Sequence, residues 1–263
     1  MNSARSGNRT VRSALATIAI SLLAVTDAIA ADIIFVDDFT SSHLIQWVRK
    51  HPKAGGASIL LDPAYVTASR ASGSGGIYLT MYLEVPPALN GNDDYPKRSA
   101  LKFFGSSSGG IPAAGACVIA EGVIGMFNGA TQLNTATWTP VDSAMCGDSP
   151  IVPYVVSVAD VATDTDTGTA GNQPAATAEP FESVLVKFDS PYILTSNGGT
   201  GAFKIGDDSL QTGGYLSVAQ FQYQYTAVQG NQPASITGVL DEFDTMTDIV
   251  FQLLPRSAAD IVE

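Results

Sequence analysis

Metal-assisted hydrolysis needs carboxylates and imidazoles that converge on one point. This chain has two histidines, His43 and His51, both near its start, and that count excludes a His-rich metal centre. No Ser-His-Asp pattern, phosphate-cradling glycine loop or nucleophile elbow is present. The residues that do fall into a chemical pattern are acidic. Asp164-Thr-Asp166-Thr-Gly168 alternates like the opening of a calcium loop. Gly168 stands at the third acidic position, however, and no Glu follows at the bidentate place. Asp164 and Asp166 are therefore candidate calcium ligands, against a solvated loop as the plainer reading. Asn92-Asp93-Asp94 and Gly206-Asp207-Asp208 read as turn chemistry. Calcium aside, no cofactor is expected.

Aromatic side chains offer a second kind of chemistry. Bases and other flat ligands stack on exposed rings, and nucleic acid adds a need for cations beside them. The first half of the chain holds Tyr78, Tyr82, Phe103 and Phe104, with Arg70, Lys97, Arg98 and Lys102 nearby. Tyr78, Tyr82, Arg98, Lys102 and Phe103 are the candidate ligand-binding set. The second half holds Phe203, Tyr215, Phe221, Tyr223 and Tyr225, of which the last three share one face at strand period. The competing reading places these rings in a core, more so for Phe than for Tyr.

Charge limits the partners. The chain carries a formal −12. Its first thirty residues hold Arg5, Arg9 and Arg12 against Asp27, a net +2, so the remainder stands at −14. Such acidity repels polyanions at long range and argues against tight non-specific nucleic-acid binding. The same thirty residues read as a secretory signal peptide: a basic start, an apolar run over Ala14–Val25, and Ala28-Ile29-Ala30 as the cleavage signal. The apolar run is short for a membrane span, so no stable span is expected after cleavage and the protein is expected outside the cytoplasm, extracellular or periplasmic. An uncleaved anchor is the alternative. In an exported chain the pair Cys117 and Cys146 reads as one disulfide, against two buried thiols.

These elements must position the candidates. Leu44, Ile45, Trp47 and Val48 suggest a short amphipathic helix ending before Pro52. Elsewhere, short runs rich in Val, Ile, Tyr, Phe and Thr alternate with Gly, Asn, Asp, Ser and Pro clusters, which predicts an all-β chain. The runs form two sets. The first is Ser58–Ala68, Ile77–Val85, Ala100–Phe104, Ala116–Phe127 and Thr131–Val141. The second is Glu182–Leu194, Gly201–Ile205, Tyr215–Tyr223, Ser235–Phe243 and Asp248–Leu254. Five strands per set is the number in an OB-fold barrel. The expected organisation is a signal peptide at 1–30, a first OB-fold-like domain at 31–149 and a second at 150–263. The fourth strands repeat: Glu121-Gly-Val-Ile-Gly-Met-Phe127 aligns with Thr237-Gly-Val-Leu-Asp-Glu-Phe243. A mid-strand Gly in each predicts a bulge or bend. Residues 163–174 read as a long polar loop, and Ile151–Val161 as a strand or connector against the second set.

Several segments carry a family resemblance. They are Ala178-Glu-Pro-Phe-Glu-Ser-Val-Leu-Val-Lys-Phe188, Gly201-Ala-Phe-Lys-Ile-Gly-Asp-Asp208, and Ile236–Val262 with its Leu254-Pro-Arg-Ser-Ala-Ala-Asp-Ile261 ending. In the first set Gly122, Val123, Phe127, Gly129, Thr131, Gln132 and Leu133 match, while Met126 stands where a Glu is expected. Together they resemble the OB-fold-like accessory modules of secreted bacterial nucleases and endonuclease/exonuclease/phosphatase proteins. The resemblance implies two tandem five-stranded barrels. It also implies a non-catalytic, nuclease-associated binding module, for which extracellular nucleic acid is the leading ligand. Glycans and surface proteins are the other partners weighed. The alternative is a structural or protein-interaction component of the cell surface or matrix. No catalytic domain follows these motifs, so the expectation is not an enzyme. Arg256 is expected in a structural role, pairing with Asp260 or capping the barrel.

Overall fold

Apolar and polar residues alternate along most of the chain, and strands follow from that alternation. The computed structural model describes residues 44–50, 56–73, 76–86, 96–127, 129–147, 149–164, 173–174, 177–220, 223–244 and 249–263. The chain opens with α1 (Leu44–Lys50), then β1 (Ser58–Leu60), β2 (Ala64–Ser72), β3 (Tyr78–Glu84), β4 (Ala100–Ser106), β5 (Cys117–Phe127) and β6 (Ala130–Pro140). It continues with β7 (Tyr154–Val155), α2 (Val158–Val161), β8 (Thr163–Asp164), β9 (Gln173–Pro174), β10 (Leu185–Asp189), β11 (Tyr192–Ile193) and β12 (Phe203–Gly206). It closes with β13 (Leu216–Val218), β14 (Ser235–Asp244), β15 (Ile249–Leu254) and β16 (Ile261–Val262). The class is all-β, and among the described residues the α-helices are the short α1 and α2. Among the described residues no helix is long and apolar enough to cross a membrane.

Two large sheets result. The first has the order β1-β5-β2-β3-β4-β6, and β5 also pairs β6. The second has the order β11-β12-β13-β15-β14-β10-β7, with β16 on β14. Each sheet has a parallel pair at an equivalent place, β4 with β6 and β13 with β15, and in the second sheet β7 also runs parallel to β10. The expected strand Glu182–Leu194 is split into β10 and β11. Ser190 at its break has φ 49°, and Pro191 follows with no amide to donate to a ladder. The Tyr215–Tyr223 strand is shorter than expected, ending at Val218. The helix over Leu44–Lys50 forms where expected, and Ile151–Val161 divides into β7 and α2.

Gly122 sits at a shift in the β5–β6 register, between Glu121 and Val123. A Cβ there would lie 2.8 Å from both the Ala136 methyl and the Asn134 carbonyl oxygen. The bulge and the close approach both require glycine at this point. Gly238 pairs Val186 in regular register, yet a Cβ there would meet the Leu254 backbone at 2.8 Å.

Each sheet has its own core. Leu79, Met81 and Leu83 of β3 pack with Leu101 and Phe103 of β4 in the first. Val186, Phe188, Ile236, Leu240, Phe251 and Leu253 anchor the second. A smaller cluster joins them: Ala68 and Tyr82 of the first sheet meet Leu185, Val239 and Leu254 of the second. Polar ties cross the same boundary. Glu84 of β3 accepts the Leu185 amide at 3.1 Å, and Glu182 accepts the Thr131 amide at 2.9 Å. Arg256 donates to both oxygens of Asp260 and also to the Thr67 carbonyl at 3.1 Å, so the expected pair forms and reaches the first sheet as well. Cys117 and Cys146 form a disulfide that packs beside Tyr65. Closing a loop of 29 residues in sequence stabilises the fold by roughly 3–4 kcal/mol in the chain-entropy account.

Candidate functional site

Parity along β3 and β4 builds the principal site. Leu79, Met81 and Leu83 point into the first core, so Tyr78, Thr80 and Tyr82 share the opposite face. On β4 the inward residues are Leu101 and Phe103, which leaves Lys102 and Phe104 on that same outer face. Antiparallel pairing sets Tyr82 beside Lys102 and Thr80 beside Phe104. Tyr78 then stacks diagonally on Phe104, with ring centroids 5.2 Å apart and planes 26° from parallel. Gly73 makes room for this: its φ is +76°, and a Cβ there would lie 2.6 Å from the Tyr78 ring.

The second sheet closes the site. Asp241 of β14 accepts two hydrogen bonds from Lys102 Nζ, at 2.9 and 3.1 Å. The Tyr82 hydroxyl also bonds Asp241. Lys102 Nζ lies 5.8 Å from the centre of the Tyr82 ring. Burial holds the Tyr82 hydroxyl well above its ordinary pKa, and the Asp241 charge adds to the shift. Around this floor lies a groove of about 430 Å³. Arg70, Tyr78, Thr80, Phe104 and Phe127 line it from the first sheet, Asp241 and Gln252 from the second, and Gln220 from the segment just after β13. That volume falls in the range of small-ligand sites. Tyr78 is 43% exposed and Phe127 57%, so both rings present area to solvent, whereas Tyr82 at 1% belongs to the floor. Gln220 Nε2 is buried and has no hydrogen-bond partner among the described residues.

The candidates named from sequence separate on this geometry. Tyr78, Tyr82 and Lys102 come together in the groove. Phe103 is fully buried in the first core, since it has the opposite parity to Lys102. Arg98 does not line the groove. It sits in a left-handed turn with φ 59°, and its amide donates to the Pro180 carbonyl at 2.6 Å. Asp164 contributes backbone to the short β8–β9 pair, its side chain lies outside the described residues, and so does Asp166. His43, His51 and Phe221 also lie outside the described residues. Tyr223 and Tyr225 pack against the second core. Asp241, Gln220 and Gln252 carry no local signal in sequence, because each gains its place only when the second sheet meets the first.

A second polar cluster had no sequence signal either. Arg49 of α1 donates to Glu182 Oε2, and through Nη2 to the Glu179 carbonyl at 2.9 Å and Glu179 Oε1 at 3.3 Å. Oxygens of Glu179, Glu182 and Glu242 lie within 4.8 Å of one another. Burial pushes Glu182 up to about 8, against the pull of Arg49. Burial and the neighbouring Glu179 raise Glu242 to about 7. The guanidinium already supplies the positive charge this cluster needs, so it acts as a tie between α1 and the second half.

No family model and no curated protein matches the chain. Among solved structures, a chain described as "Structural mimicry for functional antagonism" aligns over 74% of this chain and 90% of its own, at 9% identity and a TM-score of 0.33. Similarity at that level carries no argument about fold or function.

Proposed function

We propose that the protein is a secreted, non-catalytic binding module of two OB-fold-like barrels, with its ligand in the groove beside β3 and β4. The pairing order supports the barrel reading. In the first sheet the path β5-β2-β3-β4-β6 returns to β5, which is the strand connectivity of a five-stranded Greek-key barrel. Taking β10 and β11 as one interrupted strand, the second sheet repeats that order. Folds of this kind bind oligonucleotides and oligosaccharides on their second and third strands, which correspond to β3 and β4 here. That step from fold to ligand face is analogy. The disulfide supports export, because such bonds persist in oxidising compartments.

One observation carries the reading: Tyr78 and Phe127 expose ring area, with Phe104 stacked behind Tyr78, beside a polar floor made by both halves of the chain. The test is binding of purified protein to labelled single-stranded oligothymidine and to labelled neutral hexasaccharides, repeated with a Tyr78→Ala/Phe104→Ala variant. Binding of either probe that the variant loses, with melting behaviour retained, supports the groove. Binding that the variant leaves intact, or no binding of either probe, overturns it.

A rival reading is an interaction component of the cell surface or matrix. It draws on the edge strand β7, where Val152, Tyr154 and Val155 are exposed beside a single paired neighbour. Self-association of the purified protein without any groove ligand would favour it.

A further inference from the structure

We propose that the groove takes an uncharged oligosaccharide rather than a nucleic-acid strand. The inference rests on the binding reading above and names its ligand class. Charge is the first argument. The cations lining the groove are Arg70 and Lys102, and Asp241 lies between Lys102 and Tyr82 at the floor. Lys102 is directed at Asp241, with both side chains largely buried, so its charge is neutralised inside the protein. A phosphodiester chain gains its affinity from several cations that displace counterions. This groove, on a chain of formal −12, supplies too few.

Shape and hydrogen bonding are the second argument. A pyranose ring has apolar C–H faces and a rim of hydroxyls. It therefore calls for exposed aromatic faces beside planar polar groups. The exposed Tyr78 ring, backed by its stacking on Phe104, offers one such face, while the Phe127 ring lines the groove nearby. Gln220, Gln252 and Asp241 supply amide and carboxylate groups suited to adjacent hydroxyls. Gln220 makes the most specific point. Its Nε2 is a buried donor with no acceptor among the described residues, and such groups cost stability unless something accepts from them. Gln220 lines the groove, and a turn of its amide would bring Nε2 to a ligand hydroxyl there. Tyr82 and Lys102 both already bond Asp241, so the floor is set before any ligand arrives.

Purified protein would be screened on an array of neutral α- and β-glucans, mannans, galactans and chitin oligomers, with oligothymidine as the charged probe, at low and at high salt. The expected result is binding to one class of neutral glycan that changes little with salt. Tyr78→Ala is expected to weaken it by about tenfold or more. Gln220→Ala is expected to weaken it with the melting temperature unchanged or raised, which a purely structural glutamine would not do. Binding to oligothymidine alone, falling steeply with salt and lost in Tyr78→Ala, would overturn the sugar assignment and leave the groove standing. Failure of the folded protein to bind any array member or oligothymidine would overturn both.

Discussion

Glu84 shows how a single side chain links this fold to pH. Its carboxylate is fully buried at the end of β3, where it accepts from the Leu185 amide and, at 3.4 Å, from the Ser99 hydroxyl. Burial pushes it up to about 8, while those hydrogen bonds and Arg256 pull the other way. The folded state therefore holds this proton more tightly than the unfolded chain does. The resulting stabilisation is complete below about pH 4.5 and is lost as pH rises towards 8. Glu182 acts in the same direction for the same first cause. The melting temperature is expected to fall across that window. Glu84→Gln is expected to flatten the fall and raise the melting temperature at pH 8, on the order of 2–3 kcal/mol of relief. Calorimetry over a pH series checks this, and an unchanged slope in the variant would contradict it. At this scale the sequence was legible where strand parity decided. Tyr78, Tyr82 and Lys102 share a face, but the Phe103-Phe104 pair cannot be assigned inward or outward until the β3–β4 register is known. Glu84 and Asp241 are ordinary acids in sequence, since their partners lie 101 and 139 residues away.

Among the elements, the bulge expected at a mid-strand Gly forms at Gly122 but not at Gly238, which keeps regular register and is small for close backbone approach instead. Gly122 marks the bulge in β5, where Ala136, Asn134 and Leu133 crowd the position a side chain would take. Gly122→Val is expected to destabilise the protein by about 2 kcal/mol or more. A urea titration measures this, and a midpoint equal to that of the parent chain would show that β5 can absorb the side chain. Element boundaries were less legible. The β10–β11 break depends on the positive φ at Ser190, a non-glycine conformation that the composition of the run does not announce. The Tyr215–Tyr223 run has the β-rich composition of a full strand, yet its later tyrosines pack on the second core without forming a ladder. Composition reports burial there more faithfully than it reports hydrogen bonding.

For the whole molecule, the two halves are tied reciprocally. Glu84 of the first half accepts an amide of the second, and Glu182 of the second accepts an amide of the first. Lys102–Asp241, Arg49–Glu182 and the reach of Arg256 to Thr67 add three further crossings. Two strand sets were legible from spacing, but their mutual packing was not, and the groove exists only because of that packing. The account therefore turns on ligand contact with both sheets at once. Two-dimensional NMR of isotope-labelled protein, titrated with cellohexaose and separately with oligothymidine, tests this most directly. The account predicts shifts that cluster on Tyr78, Lys102 and Phe104 of the first sheet together with Gln220, Asp241 and Gln252 of the second half. Shifts confined to the β7 edge, or none with either probe, would contradict it.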